Sequence, residues 1–171
     1  MQWIESFCDK CAKYLGIFIA FLLIIMMINV AFDALNRYLM NSNSVALQEM
    51  EWHLFSVIIL LGLSYTLNQE GHVRVDILYT NFSAKKQAII NMVGVITFVL
   101  PLSLLVAFGS LGFVAEAYNF MEQSGDPGGL HYRFIIKGLI PTAFFILIFM
   151  SIGYFARNYN LLKRLNSSSD S

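Results

Sequence analysis

Residues 14–32 read YLGIFIAFLLIIMMINVAF, nineteen in a row without Asp, Glu, Lys or Arg. A helix needs roughly 20 apolar residues to cross a hydrocarbon core of about 30 Å, so this stretch alone is long enough to span a bilayer. Three further uncharged runs follow: 18 residues at 52–69, 29 at 87–115 and 19 at 138–156. Together they leave no polar outer face of the kind that buried helices of a soluble bundle require. The chain is therefore expected to be all-α, a polytopic membrane protein with four transmembrane helices. The first run is longer than a signal-peptide core and has no small-residue cleavage site behind it, so it is expected to be retained.

Composition agrees. Of 171 residues, 57% are apolar and 13% charged, and mean hydropathy is +0.64. Soluble domains carry about 25% charged residues. Disorder and nucleic-acid binding are disfavoured, and the balance of 11 basic against 11 acidic residues excludes a broad polybasic face. One integral membrane domain over 1–171 is expected, with spans at about 14–35, 53–69, 87–115 and 138–156. Residues 1–13 and 157–171 form the ends.

Placement of the charges orients the chain. Four spans put both ends and the second connection on one side. That side holds eight cations, Lys10, Lys13, Arg74, Lys85, Lys86, Arg157, Lys163 and Arg164, against three on the other, Arg37, Arg133 and Lys137. The positive-inside rule assigns the eight-cation side to the cytoplasm. Asp33, Glu49, Glu51, Glu116, Glu122 and Asp126 fall outside, so the neutral total divides into plus three inside and minus three outside.

The third run would measure roughly 43 Å as a helix, more than a bilayer needs. Pro101 lies within it, and a kink or tilt is expected. Ser83 is placed to cap its start. Gly94, Gly109 and Gly112 are positions where another helix could approach, although glycine is simply frequent in membrane helices. Before the second span, residues 41–44 (NSNS) form a turn. Leu47, Met50 and Leu54 then recur at helical spacing, which predicts a short amphipathic helix in the outer interface with Trp52 at headgroup depth. Residues 124–129 (SGDPGG) form a tight turn cluster.

Much chemistry is missing from the pattern. Ionisable groups inside spans mark pumps and carriers, and the uncharged runs hold only His53, at a margin. Haem ligation would need facing histidines within the bundle. Cys8 and Cys11 have the spacing of half a zinc site, but a full site needs about four ligands. Glu49 and Glu51 point to different sides of a helix, a poor arrangement for acid-base work. No enzyme activity, cofactor or metal is expected.

Arg37-Tyr38 closing the first span, Gln48-Glu49 before the second, Gly62 within it, and Glu70-Gly71-His72-Val73-Arg74-Val75-Asp76 after it resemble the small membrane (Q) subunit of tripartite ATP-independent periplasmic (TRAP) transporters. Pro127-Gly128-Gly129-Leu130, Arg133, Lys137 and Ile140-Pro141 are similar to one branch of that family. The resemblance covers about residues 29–141. Relatives often carry two adjacent acids before the second span, and here the first is Gln48, so a contact made by such a pair falls to Glu49 and Glu51.

The resemblance implies an accessory subunit of a sodium-coupled uptake system for small organic acids or related solutes, in a bacterial inner membrane. A large membrane (M) subunit would carry solute, and a periplasmic substrate-binding protein would capture it. The small subunit would brace the large one and help the binding protein dock, with lipid around it. Arg37, Glu49, Glu51 and Trp52 on the outer side, and His72, Arg74 and Asp76 on the inner side, are the expected partner contacts. The residues alone also admit an independent homodimeric exporter, or a structural subunit of another complex.

Overall fold

The computed structural model describes residues 2–69, 79 and 81–167. All its regular elements are helical. Helix α1 (Gln2–Met40) and helix α2 (Val45–Asn68) form a hairpin. The third span comprises α3 (Ala84–Gly94), a π-helical turn at Val95–Val99, α4 (Leu100–Gly109) and α5 (Leu111–Asn119). Helix α6 (Arg133–Ser167) closes the bundle. Four of these stretches, counting the third span as one, are long and apolar enough to cross a membrane. Both ends of the chain therefore share one face, called here the terminal face.

Each boundary has a local cause. The α1–α2 turn uses Asn41 in the left-handed region (φ 48°), which asparagine tolerates better than most residues. Ser44 then caps α2 by accepting the Leu47 N–H at 3.4 Å. The segment expected as a short amphipathic helix is helical and runs without a break into the second span. Ser83 occupies the cap position of α3 in extended conformation, but its hydroxyl makes no capping bond. The expected irregularity at Pro101 takes the form of the π turn just before it. Proline has no N–H to offer and its ring crowds the carbonyl four residues back. The chain responds by widening, and the Leu100 N–H reaches the Val95 carbonyl, the five-residue bond of a π bulge.

Helix α6 packs against the other three spans, while α1 packs on α2 and α6. Its sequence suits that central place: Ala143, Ser151, Gly153 and Ala156 are all buried, and small side chains allow close helix approach in a bilayer. The closest fits occur where Cys8 of α1 sits over Gly153 and where the Tyr65 ring covers Gly16, so that a β-carbon at either glycine would collide with the facing side chain. Gly94, Gly109 and Gly112 face open space. Leu67, Val95, Leu147 and Tyr154 form one buried cluster joining α2, the third span and α6. Ile19, Leu61 and Ala143 form another between α1, α2 and α6.

Hydroxyls in the spans mostly bond within their own helix. Ser56 donates to Trp52 O, Thr97 to Val93 O, Thr142 to Gly138 O and Ser151 to Leu147 O, all at 2.7–2.8 Å. Ser64 and Ser103 are buried with no hydrogen-bond partner among the described residues.

Candidate functional site

Polar side chains gather at two levels, one near each border of the apolar body. On the face opposite the termini, the loop joining α5 to α6 folds over the start of α2. Its sequence dictates a turn: Asp126 O accepts the Gly129 N–H at 3.0 Å, with Pro127 first and Gly128 (φ 82°) second inside it. That is the type II pattern, in which proline presets one angle and glycine supplies the positive φ. The Ser124 N–H also reaches Leu130 O at 3.1 Å, and the Arg133 N–H reaches Glu122 O at 3.0 Å.

Glu49 closes this loop. The residue is buried (5% exposed). Oε1 accepts the Ser124 hydroxyl at 2.6 Å and Arg133 Nη2 at 2.7 Å, and Oε2 accepts the Leu130 N–H at 2.5 Å. A carboxylate in so little water needs such compensation, because an isolated buried charge is expensive. The Arg133 guanidinium also lies 5.7 Å from the centroid of the Trp52 ring, within cation–π range. Gly129 permits the arrangement, since a β-carbon there would come within 2.8 Å of Glu49 Oε2.

The other expected outer residues stand around this clasp. Arg37 pairs at 2.5 Å with Asp33, one turn back on α1 and fully buried. One carboxylate oxygen of Glu51 is buried with no hydrogen-bond partner among the described residues. Trp52 is 42% exposed. Lys137 pairs with Glu122 and rests 3.9 Å from the Phe113 ring centroid. Arg37, Arg133 and Lys137 are thus each matched to an acid of the same face. Glu49 is buried while Met50 is half-exposed, which suits a helix whose outward side meets lipid or another apolar surface.

A second joint lies at the terminal face. Arg157 of α6 pairs with Asp9 of α1 and donates to Asn68 O and Asn68 Oδ1 of α2, both at 2.9 Å. Asn68 Nδ2 completes the triangle by donating to Asp9 Oδ1 at 3.2 Å. Asn160 and Glu5 extend the α1–α6 seam at 3.0 Å. The third span is tied to α6 by Asn91, which donates to Asn158 Oδ1 at 2.9 Å and accepts the Tyr79 hydroxyl at 3.1 Å. His72, Arg74 and Asp76 lie outside the described residues.

Ser124 is legible in the sequence only as part of the turn, and neither Asn68 nor the pairing of Asp9 with Arg157 has a local signature. The available signal was coarse: opposite charges assigned to the same side of the membrane, without a rule for pairing them.

Four membrane-length helices, held together at their borders by polar joints, define a small multi-pass membrane protein. Residues 22–161 match the family described as the DctQ component of the tripartite ATP-independent periplasmic transporters, and the chain belongs to that family. It is accordingly a component of a transporter, in a family whose complexes have three parts. Neither a curated protein nor a solved structure matches the chain.

Proposed function

We propose that this chain is the small membrane subunit of a sodium-coupled uptake transporter for small organic acids or related solutes, and that its work is to brace the large M subunit. One observation carries the reading. The ion pairs among the described residues are made within this chain, near the two borders; the runs 14–32, 52–69, 87–115 and 138–156 hold no Asp, Glu, Lys or Arg, and Asp33, at the end of the first span, is paired with Arg37 of its own helix. A solute or ion carrier normally places ionisable groups within its spans. A brace needs a stiff body with apolar outward faces, and α1 supplies the most open one, with only 6% of its most apolar window buried in the chain.

In this reading the termini are cytoplasmic, the membrane is the bacterial inner membrane, and the Glu49 clasp faces the periplasm. There it fixes the outer loop in a shape that the periplasmic binding protein meets, with Arg37, Glu51 and Trp52 at the rim of the contact. Glu49 contributes from behind, by holding the loop. His72, Arg74 and Asp76 anchor the inner connection to the large subunit. Arg74→Ala or Asp76→Ala is therefore expected to reduce recovery of the large subunit in copurification, and uptake with it. Normal complex yield and normal uptake in both variants would refute this assignment of the inner connection.

A further inference from the structure

At the terminal face, α1 and α6 border an open depression of about 530 Å³ lined by Glu5, Ser6, Asp9, Lys10, Lys13 and Arg164. Its charges are not equally available. Asp9 is engaged by Arg157 and Asn68, and Glu5 accepts a hydrogen bond from Asn160. Lys10, Lys13 and Arg164 are exposed, and none of the three forms an ion pair among the described residues. Three cations therefore converge on a concavity whose own acids already have partners.

What lies beside them decides the kind of ligand. From Lys13 the same face of α1 descends through Ile17, Phe21 and Ile24, exposed by 58%, 59% and 56%. The contacts of Cys8 with Gly153 and of Ala12 with Met150 set α1 against α6, so Lys10 and Lys13 stand abreast of the last turns of the apolar run 138–156. Lysines at that depth lay their stems along apolar surface and lift their ammonium groups to the headgroup level. A cationic rim above an apolar strip has the outline of a phospholipid. Basic pockets between membrane helices bind anionic headgroups in this manner.

We propose that this depression binds an anionic membrane phospholipid from the leaflet on the terminal side. Its phosphate sits among Lys10, Lys13 and Arg164, and an acyl chain lies along Ile17, Phe21 and Ile24. A soluble phosphate or an acidic protein segment would engage the cations alone, whereas a phospholipid engages the cations and the adjoining strip together. All three cations fall outside the family match at residues 22–161. It requires neither the partner nor the orientation proposed above.

The test is native mass spectrometry of the full chain, with whatever subunits copurify, in mild detergent containing equal phosphatidylglycerol and phosphatidylcholine. Phosphatidylglycerol should be retained preferentially. Combining Lys10→Gln, Lys13→Gln and Arg164→Gln should reduce that retention roughly tenfold or more, and Lys13→Gln alone by several-fold. Lys85→Gln with Lys86→Gln, which removes cations of the same face away from the depression, should leave it unchanged, as should millimolar inorganic phosphate. Equal retention of the two lipids, unchanged retention in the triple variant, an equal loss in the Lys85/Lys86 pair or displacement by inorganic phosphate would each overturn the proposal. So would a protein segment crosslinked to Lys10 or Lys13 in place of lipid.

Discussion

Glu49→Ala is expected to release the loop between the third and fourth spans and to lower the unfolding midpoint more than Arg133→Ala, Arg157→Ala or Asp9→Ala, because one carboxylate serves three donors. The loss has three parts. Arg133 keeps its charge but loses its counterion, the Ser124 hydroxyl loses its acceptor, and the Leu130 N–H is left without one. Glu49→Gln should rescue little. An amide can still accept at one position, but its NH2 then faces another donor, whether the Leu130 N–H or the Arg133 and Ser124 pair. Arg133→Ala should also destabilise, and the double variant should be less damaged than the sum of the two, because both remove the same contact. Thermal unfolding of the complex in detergent measures the cost, and protease cleavage within residues 120–132 reports the freed loop. A Glu49→Ala protein with an unchanged midpoint and an uncut loop would show that the clasp does not hold it.

Arg157→Ala is expected to have the next largest effect, about 2 kcal/mol, since one side chain joins three helices by charge-assisted hydrogen bonds. Asp9→Ala should cost less. The Asp9 side chain is 45% exposed, so solvent already screens the pair, and Arg157 would keep both of its bonds to Asn68. Cys8 provides a local readout, being 1% exposed beneath Gly153. In a Cys11→Ser background, Arg157→Ala should speed maleimide labelling of Cys8 as α1 and α6 separate. Equal effects of the two substitutions, with Cys8 unreactive in both, would mean that the seam is held by apolar packing alone.

What the sequence revealed and what it hid follow from the range of the forces involved. The spans are legible because hydrophobic length is a local property, and the turn at residues 126–129 is legible because proline and glycine fix backbone angles themselves. Pro101 announces an irregularity, but whether the chain kinks or widens depends on neighbours, and here the π turn resolves it. Sorting charges by side placed Arg37, Arg133 and Lys137 in one pool with Asp33, Glu49 and Glu122. The pairs themselves are contacts across folded distance, with Glu49 and Arg133 84 residues apart and Asp9 and Arg157 148 apart.

Glycine shows the same limit. Gly94, Gly109 and Gly112 look like approach points by frequency, yet Gly16 and Gly153 are the ones covered by a neighbouring helix. Which face a glycine presents is a tertiary fact. Hydrophobic stripes need a similar correction in a membrane. The Leu47–Met50–Leu54 spacing was a sound sign of a helix, and the acid beside it, Glu49, points inward because the surroundings of this helix are themselves apolar.

If this chain does its work by holding a larger membrane protein, the two must be recovered together. Stoichiometric mass spectrometry of the tagged chain, extracted in mild detergent from its native membrane, decides this. One copy of this chain with one copy of a much larger polytopic membrane protein is the expected result. A stable homodimer of this chain, recovered without any such partner, would contradict it.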